Sequence, residues 1–419
     1  MVSENRLLTQ NVGKIRIAPF ILLEITAFTS AMSGSMVFLL MPWITLQLTH
    51  SASSAGLAVT LTAIPGLLIS PFAGSLVDKF GRRRAAIFME FLPALANLSI
   101  PIVAVFTHLN LGLFLALSVV RAIVGSGNFS ARKSLIPDVA AAGGITLERA
   151  NGIHESIGAA GFALGPAIAS ICIGWLGDFN TFWVVAGIGF LATFITTLIR
   201  VTEHREAHDE DEGRHWASYA VQGVKILFQT PSVLILMAAV CVLAIIYMPT
   251  ELVVLPSYYT SINDPQGMGF LLCTMAICTT VGALLFERLN RRFSFTAILR
   301  VAILGVALSM VPMAFLPPQP VMLICGAILG LAWGPLPPLL NTVIQRKIPA
   351  NRRGRVFSLE MAIWTGGPIL SMGLAGLAVD ALGVRIIYPL IVVLVLVAAV
   401  VVSTRKSLVD LNTADYQNE

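Results

Sequence analysis

Uncharged apolar runs of about twenty residues recur along nearly the whole sequence, and an α-helix of that length crosses the hydrocarbon core of a bilayer. Only 12% of the residues are charged and the mean hydropathy is +0.84, whereas a soluble domain carries about a quarter charged residues. The runs are continuously apolar rather than alternating, which favours helices over the strands of a barrel. The sequence therefore predicts an all-α polytopic membrane protein.

Polar breaks divide the chain into twelve predicted transmembrane helices, here called spans 1 to 12. Their approximate ranges are 18–46, 54–77, 85–106, 110–131, 150–175, 179–199, 232–258, 267–287, 295–315, 320–343, 355–380 and 384–403.

The longest connection between spans, residues 201–230, holds the acidic run "EHREAHDEDEGRH" and an amphipathic stretch. It predicts an N-terminal six-helix bundle over 1–200, a linker over 201–230 and a C-terminal six-helix bundle over 231–419. The two halves also share a Gly-Pro pair at equivalent positions, Gly165-Pro166 in span 5 and Gly367-Pro368 in span 11. An internal duplication of this kind is typical of transporters built from two pseudo-symmetric bundles around a central cavity.

Basic residues are strongly biased to one side of the predicted membrane. The connections on that side hold nearly all the loop Lys and Arg, while the opposite side holds only Arg385. By the positive-inside rule both termini and the 201–230 linker are cytoplasmic. The bias also accounts for the net charge of +5, so no nucleic-acid partner is expected.

Residues with metal-binding or catalytic potential do not cluster in the sequence. The five cysteines lie inside apolar spans without metal-ligand spacing, the six histidines are scattered, and there is no Walker-type phosphate-binding loop. We therefore expect neither an enzyme nor a bound metal or cofactor. A membrane-embedded enzyme and a channel are the less favoured alternatives to a transporter.

Three motifs resemble those of the major facilitator superfamily. These are "GSLVDKFGRRR" between spans 2 and 3, "RAIVGSG" in span 4, and "GAAGFALGPAIA" in span 5, which is similar to the motif of its drug–proton antiporters. The stretches "FLPPQPV", "GPLPPLLNTVIQ" and "RRGRV" resemble more narrowly the Tap-type multidrug exporters of actinobacteria, and more distantly the macrolide and enterobactin exporters.

This resemblance implies a proton-coupled multidrug efflux antiporter in a bacterial plasma (inner) membrane. Its partners would be protons, the lipid bilayer and amphipathic drugs such as tetracyclines, with the monomer as the functional unit and antibiotic resistance as the outcome. The antiporter motif favours export, but an exporter of an endogenous lipid or siderophore, or a proton-coupled importer, stays open as an alternative.

The loop between spans 2 and 3 is expected to act as a cytoplasmic gate. Glycines allow a sharp turn there, and Asp78 can pair with a nearby guanidinium, for which Arg132 is the candidate. In the family this cluster also contacts span 11. Alternatively, its arginines only set topology and meet anionic lipid. The predicted gating residues are Gly74, Asp78, Gly81, Arg82, Arg83 and Arg132.

Ionisable residues inside spans are costly and functional by default, which makes Glu24, Arg121, Glu155 and Glu251 candidates for proton coupling. Glu251 lies between two prolines, which predicts a helix break lining a cavity. For Glu155 the alternative is simple solvation at the membrane boundary, and for Arg121 a structural pair between spans 1 and 4. No acid stands near Gly34 in span 1, where the family pattern would place one.

Aromatic faces attract cationic and planar molecules, so we expect several aromatic residues to line the cavity beside Glu251. These candidates are Phe28, Phe129, Tyr247, Trp333 and Trp364, with a lipid-facing position as the alternative for each. The antiporter motif supplies Gly158, Gly161, Gly165 and Pro166, read either as a flexible contact between the halves or as tight helix packing. His154 is expected to have a packing role rather than to relay protons.

Overall fold

The computed structural model describes residues 16–65, 81–201, 225–348 and 350–404. All regular elements in these residues are helices. Nine of the described helices are long and apolar enough to cross a membrane, and three shorter apolar helices lie within spans 2, 4 and 11. The predicted all-α membrane architecture is thus confirmed, and twelve spans are consistent with it.

The first half of the chain packs around a central helix, α1. This helix contacts α5, α6 and α7, while α3 lies against α4 and α7. The helices are α1 Ala18–Thr49, α2 Ala52–Pro65, α3 Arg82–Phe106, α4 Leu111–Gly125, α5 Asn128–Gly143, α6 Leu147–Leu176 and α7 Thr181–Leu198.

The second half repeats this pattern of neighbours. The helix α10 packs on α12, and α8 packs on α14 and α15. The helices are α8 Pro231–Pro249, a π-helical turn Thr250–Val254, α9 Leu255–Ser261, α10 Pro265–Asn290, α11 Phe295–Met313, α12 Gln319–Trp333, α13 Leu336–Lys347, α14 Ala350–Leu382 and α15 Val384–Thr404.

Three spans depart from a regular α-helix within the described residues. Span 7 runs from Pro231 to Ser261 without ending, so the predicted break between Pro249 and Pro256 is a local π-helical turn at Thr250–Val254. Spans 4 and 10, predicted as single helices, are each divided in two, at Ser126-Gly127 and at Gly334-Pro335. Glycine weakens a helix and proline disrupts the helix before it, so both breaks have a local cause. They stand at equivalent places in the two halves and support the duplication.

Among the described residues, three regions of contact join the two halves. They connect α6 with α10, α1 with the π-helical turn and α9, and α2 with α14. In the last region, a side chain on Gly56 of α2 would collide with the backbone of Met372 in α14. All three regions lie toward the end opposite Arg82, Arg132 and Arg346. We call the end carrying those arginines the basic end, and the other the closed end.

At the closed end, a carboxylate of the second half binds residues of the first half. Asp380, near the end of α14, accepts hydrogen bonds from the backbone nitrogens of Ala52 at 2.6 Å and Ser53 at 2.9 Å. The hydroxyls of Ser51 and Ser53 donate to it at 2.8 and 2.6 Å. The first amides of a helix have no partners inside it, so a side chain of one half caps a helix of the other.

Candidate functional site

A cavity of about 430 Å³ lies within the first half of the chain, among α1 and α3 to α7. Much of its lining is small or apolar, and its ionisable residues approach it from four different helices. The polar and charged residues in the lining are Ser30, Ser33, Glu90, Asn97, Arg121, Asn128, Arg132, His154 and Glu155. The cavity therefore combines charge with room for a ligand inside an apolar bundle.

Glu24 is buried between α1 and α6. Its side chain meets His154, whose Nδ1 lies 3.2 Å from the Glu24 Oε1 atom. Both residues are almost fully buried, at 4% and 3% exposed. The second carboxylate oxygen of Glu24 makes no hydrogen bond with any described residue. The predicted candidate is thus a buried carboxylate with one oxygen held by an imidazole and the other left open.

Arg132 forms a buried ion pair with Glu90 of α3. Its Nη1 atom also donates to the Ser30 hydroxyl at 2.5 Å and to the side-chain oxygen of Asn128. The expected partner, Asp78, lies outside the described residues, as does Gly74. Among the described residues Arg132 joins α1, α3 and α5, and its pairing with Asp78 stays a prediction.

The described part of the gating motif binds the start of α3 to α5 and α7. Gly81 precedes the helix with φ = 85°, a conformation that favours glycine. Arg82 pairs with Asp138 of α5 at 3.2 Å, and Arg83 donates to the Thr197 carbonyl oxygen of α7 at 2.7 Å. These contacts stay within the first half, so the latch onto span 11 stays a prediction.

Arg121 lines the cavity from α4. Its Nε atom donates to the side-chain oxygen of Asn97 in α3 at 3.0 Å. This bond joins spans 3 and 4, and the alternative of a structural pair between spans 1 and 4 stays open. A guanidinium cannot lose its proton in a protein, so Arg121 is a fixed positive charge in the cavity.

Glu155 stands at the rim of the same cavity. Its Oε1 atom lies 2.6 Å from the Lys133 ammonium, and these two side chains are 57% and 42% exposed. This arrangement matches the alternative of a solvated carboxylate more closely than that of a buried proton site.

A second cluster lies in the other half, around the break in span 7. The Tyr247 hydroxyl donates to Glu251 at 2.5 Å, and the Tyr247 and Trp333 rings pack with their centroids 5.3 Å apart. Three predicted substrate residues from α8, the π-helical turn and α12 thus form one group. Glu251 is half-buried, with its carboxylate beside these two aromatic rings.

The other aromatic candidates are distributed differently. Phe28 is half-buried on α1, in the first half of the chain. Phe129 belongs to α5 and Trp364 to α14, but the side chains of both lie outside the described residues. Their expected role in substrate binding stays a prediction.

The antiporter motif packs mainly inside its own half. A side chain on Gly161 would collide with the backbone of Phe28, and one on Gly165 with Ser35 and with the backbone of α1. Gly158 has open space around it. The contact with the other half begins one residue later, where the Pro166 carbonyl and Ser170 approach Gly269 of α10. Gly161 and Gly165 therefore fit the tight-packing alternative, whereas Gly158 does not require it.

His154 is the residue that sequence reasoning undervalued. Residues 154, 158, 161 and 165 follow helical spacing and share one face of α6. Because small residues allow close helix contact, that spacing points His154 toward the helix that the glycines meet, which is α1. Glu24 lies on α1, so the glycine pattern was the available signal.

Comparisons with known proteins agree with this architecture. A family model described as Major Facilitator Superfamily matches residues 23–367 and 262–410. The chain is 30% identical to the multidrug efflux pump Tap of Mycolicibacterium fortuitum over 372 residues, which cover 88% of this chain and 90% of that protein. This confirms the predicted resemblance to Tap-type proteins.

Two more distant similarities are consistent with it. Macrolide efflux protein A of Streptococcus pyogenes is 21% identical, covering 80% of this chain and 83% of that protein. The crystal structure of the nucleoside transporter NupG superimposes with a TM-score of 0.73 at 13% identity, covering 92% of this chain and 98% of that one. The chain therefore belongs to the Major Facilitator Superfamily of membrane transporters.

Proposed function

We propose that this transporter is a proton-coupled multidrug efflux antiporter of the bacterial plasma membrane. It acts as a monomer, with both termini cytoplasmic and with the 1–200 and 231–419 bundles, joined by the 201–230 linker, rocking about a central site. Its substrates are amphipathic drugs, including cationic and tetracycline-like compounds, and the proton gradient is its only energy source. Similarity to the Tap pump over 88% of the chain supports efflux as the direction.

The observation that carries proton coupling is the buried carboxylate at Glu24, next to a cavity that also holds the fixed charge of Arg121. A charge inside a membrane span costs roughly 2.5–3.5 kcal/mol by insertion scales, so an unpaired carboxylate oxygen at such a site needs a purpose. When Glu24 takes up a proton it loses its charge, and its electrostatic attraction to the fixed positive charge of Arg121 is lost.

Alternating access gives this change of charge its effect. The contacts between the halves lie at the closed end, which faces outside if the basic end is cytoplasmic. In this state a drug enters from the cytoplasm and meets Glu251, Tyr247 and Trp333. After the halves reverse, a proton from outside neutralises a carboxylate, the drug leaves, and the transporter returns.

The test uses purified protein in liposomes with an imposed pH gradient. We expect drug efflux to follow the gradient in the wild type, and to lose that dependence in Glu24→Gln and Arg121→Ala. Glu251→Gln should weaken the transport of cationic drugs more than that of neutral ones, because it removes the carboxylate beside the aromatic pair. Flux that ignores the gradient in the wild type would overturn the proposal.

Export of an endogenous lipid or siderophore is the second candidate, because the same cavity and coupling would serve it. Fluorescent drug analogues and a lipid extract presented to the same liposomes distinguish the two. Gradient-driven transport of lipid but not of drugs would favour this second candidate.

A further inference from the structure

His154 stands between the cavity and the buried carboxylate. The described residues that line the cavity include His154 but not Glu24. Glu24 is reached through the His154 ring, whose Nδ1 atom lies 3.2 Å from the carboxylate. A proton moving between the cavity and Glu24 therefore meets the imidazole first.

The other ionisable groups of the cavity are unsuited to this transfer. Glu90 is engaged by Arg132 and Asn128, and Glu155 faces Lys133 at the exposed rim. Arg121 keeps its proton at all relevant pH values. Of the described residues, His154 is the one that both lines the cavity and hydrogen-bonds to Glu24. Imidazole is also the side chain whose ordinary titration range spans physiological pH.

We propose that His154 relays protons between the cavity and Glu24, an inference that rests on the proposed proton coupling. A proton from cavity water binds to Nε2 while the proton on Nδ1 passes to Oε1 of Glu24. The imidazole is neutral before and after the step, and one charge on the carboxylate is cancelled. The reverse transfer, with the proton returning through the ring to cavity water, restores both groups.

The relay also connects the proton site to the contact between the halves. His154 and Glu24 join α6 to α1, and farther along α6 the Pro166 carbonyl and Ser170 meet Gly269 of α10 in the other half. A change in the charge of the pair thus acts on the helix that packs against the second bundle.

The experiment compares gradient-driven efflux with drug–drug exchange in the same liposomes, because exchange across the membrane needs no net proton transfer. In His154→Gln, which keeps a hydrogen-bonding amide but cannot relay, we expect the ratio of efflux to exchange to fall about 10²-fold, the usual contribution of a positioned proton-transfer group. The control is His108→Gln, an exposed histidine between α3 and α4, whose ratio should stay at the wild-type value.

Chemical rescue separates a relay from a structural role. We expect His154→Ala to recover gradient-driven efflux when imidazole is added to the buffer, because the cavity has room for the free ring. Glu24→Gln should not recover, since its proton acceptor is gone. A wild-type ratio in His154→Gln, or a loss in His154→Ala that imidazole does not restore, would overturn the relay. If Glu24→Gln keeps its gradient dependence, the proposed coupling fails instead.

Discussion

Two carboxylates in the first half have opposite environments although the sequence places both near the same membrane boundary. Glu90 is 3% exposed and paired with Arg132, while Glu155 is exposed beside Lys133. Removing one partner of a buried ion pair leaves the other charge buried and unpaired. An exposed pair is screened by water and contributes little. The difference makes a matched pair of variants.

We expect Glu90→Gln to lower the free energy of unfolding by about 3 kcal/mol, since Arg132 keeps its charge but loses its counter-ion. Glu155→Gln should change it by less than about 1 kcal/mol. Thermal and denaturant unfolding of the detergent-solubilised proteins measures both. Equal effects of the two substitutions would show that the Glu90–Arg132 pair is not the buried contact described here.

The sequence predicted which residues carry charge but not how they pair. Hydropathy gives the depth of a residue along a helix but not its neighbour on the next helix. The partner of Glu90 stands 42 residues away, on α5, and the partner of Glu24 stands 130 residues away, on α6. Pairings of this kind depend on helix rotation and packing.

At the scale of helices, the glycines of α6 are not equivalent. Gly161 lies against the backbone of α1, which has no flexible side chain to move aside, while Gly158 has nothing within van der Waals contact. In a membrane, where helices gain little from the hydrophobic effect, close backbone contact is a main source of association. The spacing of the motif predicted this packing, but not which glycine the packing requires.

We expect Gly161→Ala to destabilise the protein by about 1–3 kcal/mol, because the added methyl group forces α1 and α6 apart. It should also reduce efflux, because the shift moves His154 away from Glu24. Gly158→Ala, on the same helix one turn earlier, is the control and should retain wild-type stability and transport. Unfolding curves and liposome flux test this, and a tolerated Gly161→Ala would contradict the described contact.

Helix breaks show which features of a helix local sequence can predict and which it cannot. The interruption near Glu251 was predictable, because prolines 249 and 256 bracket it. The break at Ser126-Gly127 was not predictable, because it lies in the motif "RAIVGSG" of an otherwise continuous apolar span. The break at Gly334-Pro335 was not predictable either, because several prolines follow one another there. A glycine or proline in a membrane helix permits a break, but packing against neighbouring helices decides whether the helix is interrupted there.

For the whole molecule, the closed end depends on few polar contacts between the halves. Asp380 supplies acceptors to two backbone amides and two hydroxyls on residues 51 to 53. Nothing in the sequence singled out this residue, because it lies at the end of an apolar span and its partners belong to the other half. The membrane-spanning helices of the described residues were predictable from hydropathy, whereas the contacts that close one end were not.

We expect Asp380→Asn to shift the population away from closure at this end. The amide has one oxygen for two backbone donors, and losing a helix cap costs about 1 kcal/mol. That change alters the ratio of two conformations about fivefold. Distances between spin labels at the exposed positions Leu57 and Leu377 measure it, with longer distances expected in the variant.

The control is Ser294→Ala. Ser294 caps α11 from within the second half, where its hydroxyl accepts a 3.2 Å hydrogen bond from the Ala297 nitrogen. Its loss weakens a helix end without touching the contact between halves, so the label distances should remain those of the wild type. Unchanged distances in Asp380→Asn as well would mean that this carboxylate does not hold the end shut.

The imidazole that screens Glu24 from the chamber has an electrical consequence. Cargo in the chamber meets the ring rather than the acid, so a cationic cargo does not pair directly with Glu24 in place of its proton. We therefore expect one proton count per cycle for neutral and cationic cargo alike. The net inward charge per cycle is then smaller for cationic cargo, because the outgoing charge offsets part of that of the incoming protons. A membrane voltage that is negative inside therefore assists the export of neutral cargo more than that of cationic cargo.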